Sequence, residues 1–440
     1  MLKRKFYDTL LEWKSAHGQE CLLVKGARQV GKTFIIDYFG KANYSSYLYL
    51  NFVINKDSTG FFGDNLEPDV IFKKITAHYP RFRLIPGDTL VFLDEIQSCP
   101  RARTALKSLA IDGRADVIAS GSLLGMNFLD DGLEKDRAQE SIPVGYENQM
   151  IMRPMDFEEY LWALGYDENA IGILRESYQT LAPVPTSIND KFLELFREFM
   201  TIGGMPEVVK TFITDNSFSL VHKAQERIKN SNLDDIARYA ARAEKPKVRA
   251  CYLSLPAQLA RENRKFKYSE VEKGGSTRKF GSSIDWLRES ALAIQCFNTS
   301  TPSMPLSVYR TNECFKMYVS DIGILTAMIG FNVKKTILEN TIKGFAKGGI
   351  YENAIAQQLV SRGYEPFYHQ KKSPAGEIDF LIERNGAVVP IEVKAGHTSS
   401  DSFDRLLNQK DVEVGYKLIS GNVGRVGKKI TLPHYMAMFI

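Results

Sequence analysis

Gly26-Ala27-Arg28-Gln29-Val30-Gly31-Lys32-Thr33 decides the first part of the fold. The octapeptide matches GxxxxGK[ST] and lies between an apolar β-rich run, Cys21 to Lys25, and a segment of helical periodicity, Thr33 to Phe39. Strand, glycine-bearing loop and helix in that order form a phosphate cradle. Glycines let the backbone wrap phosphate oxygens with its N–H groups, and the helix behind offers its positive N-terminus. Lys32 then neutralises β- and γ-oxygens and Thr33 ligates Mg²⁺. Gly26, Ala27, Arg28, Gln29, Val30, Gly31, Lys32 and Thr33 are accordingly the expected contacts to ATP and its Mg²⁺.

Such a site needs a second half, an apolar strand ending in acid, and Thr89-Leu90-Val91-Phe92-Leu93-Asp94-Glu95 supplies it. Asp94 is expected to hold Mg²⁺ through water, and Glu95 to polarise the lytic water. The strand Val117 to Ser122 (VIASGS) brings a third element, with Ser120 or Ser122 placed to sense the γ-phosphate. Arg101, Arg103, Arg114 and Arg153 are each eligible by position as an arginine finger, and a neighbouring subunit is an alternative source. The runs CLLVKG, SSYLYLNF, TLVFLDEI and ADVIASGS alternate with helical periodicity, which predicts an α/β fold with a parallel sheet and crossover helices.

The 440 residues exceed what one core sustains, so several folding units are expected. Apolar residues are 44% and charged residues 25%, a globular balance that excludes a largely disordered chain. Lacking an apolar run of the roughly 18 to 20 residues that a span requires, and opening on an amphipathic helix, the chain reads as cytoplasmic with no membrane partner. Cys21, Cys99, Cys251, Cys296 and Cys314 are scattered without CxxC spacing and read as idle or buried thiols. Residues 245–290 hold eleven Lys or Arg against five Asp or Glu, a net of +6, whereas the whole chain carries +5. Attraction to nucleic acid would therefore centre on that segment.

The pattern divides the chain into a P-loop core over 1–150, a helical lid over 151–240, a basic segment over 241–332, and an α/β domain over 333–440. Short helices and the run WLRESALAIQCFN give the third segment a helix-turn-helix with a wing. In the fourth, GIYENAIAQQLVSRG reads as an amphipathic helix. Two apolar strands, Glu377 to Glu383 and Val388 to Lys394, then flank Asn385-Gly386, a strong hairpin signal. With those two residues at the turn, Asp379 faces Glu392 and Glu377 faces Lys394 on one side, and the other side is apolar. Facing carboxylates repel unless a cation lies between them. Mg²⁺ or Mn²⁺ held by Asp379, Glu392 and helix residue Glu352, with Lys394 beside an attacking water, would make a phosphodiester-hydrolysing site.

These motifs together resemble the bacterial and archaeal AAA+ ATPases that join a P-loop domain to a C-terminal domain of restriction-endonuclease-like fold (PD-(D/E)xK type). The resemblance spans the chain and rests on GARQVGKT, Asp94-Glu95-Ile96-Gln97, SGS at 120–122, RPMDFEEYL at 153–161, GGMPEVV at 203–209, FKMYVSDIGIL at 315–325, YEN at 351–353, GEIDFLI and IEVK. It implies an AAA+ sheet with a helical lid, a winged helix-turn-helix, and a nuclease-like domain whose metal and catalytic positions fall on Glu352, Asp379, Glu392 and Lys394. It also implies assembly into a homo-oligomer, and contact of Lys265, Lys267, Arg278 and Lys279 with double-stranded DNA phosphates. Relatives carry an arginine ahead of the PMDFEEYL-like motif. Here Gly145 is followed by Tyr146, which leaves Arg153 as the substitute. Three functions are compatible with this set: a DNA-associated ATPase governing a nuclease-like domain, a nucleotide-switched scaffold in which that domain is only structural, and a DNA-binding regulator with ATP as ligand.

Overall fold

The computed structural model describes residues 2–16, 20–122, 145–370, 376–395, 401–409 and 412–440. These fall into two compact units, 3–153 and 154–440.

The first unit runs Phe6–Ser15 (α1), Cys21–Gly26 (β1), Lys32–Asn43 (α2), Ser46–Asn51 (β2), Pro68–His78 (α3), Thr89–Asp94 (β3), Pro100–Asp112 (α4), Asp116–Ser122 (β4) and Glu147–Ile151 (β5). Among the described residues its strands form one five-stranded parallel sheet in the order β2-β3-β4-β1-β5. Every residue of β1 and β3 is buried, as parallel strands covered on both faces must be. Strand β4 lies between β1 and β3 rather than outside them, with Ser120 in register with Val24 on one side and Asp94 on the other. The insertion gathers Gly26, Asn51, Asp94 and Ser120 at the carboxyl ends of neighbouring strands, where open α/β sheets bind ligands.

The second unit begins with Phe157–Ala163 (α5), Glu168–Thr180 (α6), Thr186–Ile202 (α7), Pro206–Asp215 (α8), Phe218–Tyr239 (α9), Lys245–Leu259 (α10) and Thr277–Glu289 (α11). It continues through Ala293–Thr299 (β6), Arg310–Val319 (β7), Ile322–Ile329 (α12), Phe331–Leu338 (α13) and Gly344–Ser361 (α14). Phe367–Gln370 (β8), Glu377–Arg384 (β9), Ala387–Lys394 (β10), Asp401–Leu407 (α15), Gly415–Ile419 (β11), Gly424–Val426 (β12) and Lys429–Pro433 (β13) complete it. Among the described residues an eight-stranded mixed sheet runs β12-β13-β11-β10-β9-β8-β6-β7.

That sheet joins segments the sequence pattern separates at 332. The β6–β7 hairpin follows two helices, but β6 also pairs in parallel with β8, so it forms the edge of the C-terminal sheet rather than a detached wing. The helices after residue 156 share this unit's core. A Cβ on Gly204 would lie 2.0 Å from the Met155 carbonyl, and the Asp321 carboxylate accepts from Gly204 N–H at 2.6 Å and Ile324 N–H at 3.0 Å.

Helix α14 corrects a sequence expectation, because it is buried all round from Gly349 to Val360 instead of amphipathic. Its amide side chains face protein backbone. Asn353 accepts from Val319 N–H and donates to the same residue's carbonyl, Gln357 accepts from Ile322 N–H and donates to the Met155 carbonyl, and Gln358 accepts from Phe157 N–H. Satisfied in this way, Asn353 and Gln357 lie in the core without the desolvation cost of unpaired amides, while the Gln358 carbonyl oxygen is paired and its NH2 has no hydrogen-bond partner among the described residues.

Candidate nucleotide site and a second carboxylate cluster

The loop between β1 and α2 is shaped by two glycines that leave no room for an ordinary side chain or backbone, and by a glutamine in left-handed conformation. A Cβ on Gly26 would stand 2.4 Å from the Met152 carbonyl, Gln29 has φ 64°, and Gly31, at the N-cap of α2, has φ 97°. Val30 is buried and anchors the loop, with its carbonyl accepting from Arg4 at 2.9 Å. Among the described residues no N-cap side chain bonds to the first turn of α2, whose N-cap is Gly31, the arrangement that phosphate binding uses. Lys32 donates to the carbonyls of Gly26 and Ala27, both at 2.9 Å, and so folds over the loop that it serves.

The two halves of the motif meet at Asp94, which is 2% exposed. Its Oδ2 accepts from the Thr33 hydroxyl, the Tyr49 hydroxyl and the Asn51 amide, each at 3.0 Å. Its Oδ1 accepts from Glu95 N–H at 3.1 Å and from the Ser120 hydroxyl. Four of these donors are neutral side chains, so the carboxylate is oriented without its charge being cancelled. Thr33 and Asp94 are thus an adjacent hydroxyl and carboxylate, a hard-oxygen pair suited to Mg²⁺. Glu95, next in the chain, has left-handed backbone at φ 55°, and its carboxylate accepts from the Gln97 amide. Strained non-glycine backbone of this kind concentrates at functional sites.

Tyr49 and Asn51 are site residues that sequence reasoning missed. Their signal was the polar end of SSYLYLN, which β2 brings beside β3 with Asn51 in register with Asp94. Of the two serines, Ser120 reaches Asp94. Ser122 pairs with Gly26 through the backbone, and its side chain lies outside the described residues. Three of the eligible arginines have local partners. Arg101 donates to the carbonyls of Phe62 and Gly63, Arg103 pairs with Glu147 at 3.0 Å, and Arg114 bridges Asp69 and Asp112.

Residues 18–161 match the family model of an AAA domain. With the P-loop and the Thr33–Asp94 contact, that match supports nucleotide binding and hydrolysis. Residues 193–335 and 347–431 match two domains of unknown function, DUF8612 and DUF4143. A UPF0102 protein of Aquifex aeolicus (strain VF5) is 44% identical over 52 residues, which are 12% of this chain and 50% of that protein; the chain thus spans half the length of this curated relative. Solved structures similar to the chain include the Walker-type ATPase PABY2304 of Pyrococcus abyssi, at TM-score 0.43 and 12% identity over 75% of this chain and 96% of that one. The replication initiator DnaA bound to AMPPCP and single-stranded DNA gives 0.28 and 13%, over 66% and 89%. AMPPCP-bound DnaA from Aquifex aeolicus gives 0.28 and 14%, over 64% and 85%. No described helix is long and apolar enough to cross a membrane.

The second carboxylate cluster lies away from the AAA domain's sequence, on the C-terminal sheet. The β9–β10 hairpin turns at Asn385 (φ 51°) and Gly386 (φ 78°), with Arg384 opposite Ala387 and Phe380 opposite Ile391. That register turns Asp379 and Glu392 to one face, and both are buried, as is Glu352 on α14. The cluster holds more than these acids. Lys316 of β7, fully buried, places its ammonium 2.5 Å from Glu377, 3.3 Å from Glu352 and 3.9 Å from Asp379. Arg264 pairs with the other Glu352 oxygen, Tyr318 donates to Glu352 at 3.0 Å, and Lys394 pairs with Glu392 at 2.5 Å. Asp379 Oδ2 accepts from Val393 N–H at 2.8 Å.

The titration behaviour follows from that arrangement. Burial raises the Glu352 carboxyl, but Lys316 and Arg264 outweigh it and hold the group below its ordinary range. Burial, with the charges of Glu352 and Glu392, pushes Asp379 well above its ordinary value, and burial raises Glu392 despite Lys394. Lys316 is lowered by burial but raised further by Glu352 and Glu377, so it stays protonated. The expected metal ligands therefore lie against protein cations, Glu352 and Asp379 at Lys316 and Glu392 at Lys394. Among the described residues no group of three or more His, Cys, Asp or Glu side chains is arranged to hold a metal ion, so these residues do not fit Mg²⁺ or Mn²⁺ as folded. Arg264, Lys316 and Tyr318 were missed; the one signal was a lysine inside the apolar run Phe315 to Val319.

Proposed function

We propose that the chain is a Mg²⁺-dependent ATPase acting as a nucleotide-driven switch, carried by the contact of Thr33 with Asp94 across the AAA domain. Lys32 neutralises β/γ-phosphate oxygens, the loop from Gly26 to Gly31 binds phosphates through backbone N–H groups, and Thr33 and Asp94 hold Mg²⁺. Bound there, the ion supplies charge neutralisation on the phosphates. Ser120, Tyr49 and Asn51 fix the Asp94 carboxylate, and Gln97 steadies Glu95, which orients the lytic water.

Glu95→Gln tests this assignment. Loss of a positioned base is expected to cut turnover by about 10² to 10⁴-fold while ATP stays bound. Unchanged turnover removes Glu95 from the mechanism.

For the second unit, the ion pairs of Glu352 favour the scaffold reading over the nuclease-governing one, because an acid already paired to Arg264 and Lys316 is not available to a metal. Association with DNA rests on the exposed Lys267 and Arg278, since Lys279 is paired with Glu272 at 2.6 Å and Arg261 with Glu270 at 2.6 Å. Such binding is electrostatic and falls steeply with salt. A DNA affinity independent of salt, or unaltered in Lys267→Glu with Arg278→Glu, excludes this contact.

A further inference from the structure

We infer that the carboxylate pocket of the C-terminal sheet carries its own cation, the Lys316 ammonium, in the place a divalent metal would take, and that removing this ammonium turns the pocket into a divalent-cation site. The inference does not depend on nucleotide chemistry in the AAA domain.

Geometry carries it. The ammonium lies within 4 Å of three carboxylates from two elements, Glu352 on α14 and Glu377 and Asp379 on β9. Lys316 is 0% exposed, and its charge lies 5.2 Å from the centre of the Tyr368 ring, so water does not share the load. The seat is also built for a second cation. Arg264 reaches Glu352 past Gly348, where a Cβ would come within 2.1 Å of the guanidinium, and the adjacent Gly349 admits the Leu259 carbonyl, 2.1 Å from where its Cβ would be.

Charge accounting leads to the same place. Four acids, Glu352, Glu377, Asp379 and Glu392, face three bases, Arg264, Lys316 and Lys394. Burial and its acidic neighbours favour a proton on Asp379, which leaves the pocket neutral, and an added divalent ion would overshoot. Without Lys316 the pocket lacks one positive charge, and a divalent ion entering at Asp379 would release that proton and meet two negative charges. A coordination position is also waiting: Glu392 is buried, and its Oε2 has no hydrogen-bond partner among the described residues. Oxygen donors from carboxylates with retained waters suit Mg²⁺ and Mn²⁺.

Lys316→Met keeps the hydrocarbon stem and deletes only the charge. Full-length wild type, Asp379→Asn, Lys316→Met and Lys316→Met with Asp379→Asn are titrated with Mn²⁺ without nucleotide, following free Mn²⁺ by electron paramagnetic resonance and unfolding by thermal melts. The expected result is a Lys316→Met protein that melts below wild type, recovers as Mn²⁺ rises because the ion binds only the folded state, and binds Mn²⁺ about 10-fold or more tightly than wild type. The Asp379→Asn change should remove that recovery. Two results overturn the inference: Mn²⁺ binding by wild type that Asp379→Asn abolishes, or a Lys316→Met protein that gains neither affinity nor stability from Mn²⁺. A Lys316→Met chain that stays unfolded at every Mn²⁺ concentration counts as the second. The wild-type titration against Asp379→Asn still decides whether the native pocket excludes metal.

Discussion

Two buried acids, Asp94 in the AAA domain and Glu352 on helix α14 of the second unit, show opposite ways of keeping a carboxylate inside a protein. Asp94 is held by the hydroxyls of Thr33, Tyr49 and Ser120 and the amide of Asn51. Neutral donors direct its oxygens and leave the negative charge for a cation from outside. Glu352 is held by Lys316 and Arg264, cations that the chain itself supplies. Asp94 ends a buried strand and Glu352 lies midway along a buried helix, and both sit among further carboxylates or polar strand ends. The partners, rather than the acid, decide whether a metal has a place.

Removing each acid should expose the difference most strongly. Glu352→Ala leaves Arg264 without its carboxylate and takes one of three from the buried Lys316, and breaking a buried ion pair from one side costs about 3–5 kcal/mol. Asp94→Asn keeps a polar group of the same shape, and the three hydroxyls can turn to accept instead of donate, so its cost should stay near 0.5–1.5 kcal/mol. Amide exchange in β9 and β3, read on the respective variants, measures both. Equal destabilisation would mean that Glu352 is no more dependent on charge than Asp94. ATP turnover should divide the other way, lost in Asp94→Asn and kept in Glu352→Ala.

Glycines beside the two acids give a smaller and cleaner contrast. Gly26→Ala puts a methyl 2.4 Å from the Met152 carbonyl, and Gly349→Ala puts one 2.1 Å from the Leu259 carbonyl. Backbone must yield in both, at about 1–3 kcal/mol for overpacking. Melting and nucleotide titration of each variant should show similar losses of stability, with ATP affinity lost only in Gly26→Ala. A matching loss of affinity in Gly349→Ala would tie nucleotide binding to the C-terminal pocket.

How much of this was legible depends on how far apart the partners lie along the chain. The P-loop was readable because its chemistry is contiguous and its strand and helix flank it. The β9–β10 register was readable from Asn385-Gly386, which fixes pairing locally. The cations were not, since Lys316 is 36 residues and Arg264 is 88 residues from Glu352, and no periodicity links them. Facing acids therefore read as a request for metal, when the fold answers it with lysine. The same distance hid the join across residue 332, where among the described residues β6 meets β8 by pairing Phe297 with Phe367 and Asn298 with Tyr368. Helix α14 misled for a related reason: Asn353, Gln357 and Gln358 look like a wet face until the strand and helix ends they serve are in place.

A second buried lysine extends the comparison to cations and sets the smallest effect. Lys334 donates to the Thr201 carbonyl at 2.6 Å, to Gln225 at 2.7 Å and to Thr326 at 3.4 Å, neutral acceptors all, whereas Lys316 faces carboxylates. Burial pushes Lys334 down to about 7, against the partial support of Asp321 and Glu226, while Lys316 stays charged. The folded state therefore binds fewer protons than the unfolded chain between that value and the ordinary lysine value of 10.5. Stability rises with pH wherever the unfolded state holds more protons, so this contribution grows through that window and is absent below it. One proton over one pH unit corresponds to about 1.4 kcal/mol, and partial titration near the folded value leaves a gain of about 1 kcal/mol between pH 7 and 8. Urea unfolding of wild type and Lys334→Met at both values measures it as a change in their difference. The gap should move in favour of wild type by that amount. A gap that does not move means Lys334 is charged in the fold, and that neutral acceptors alone can hold a buried ammonium as firmly as the carboxylates around Lys316 do.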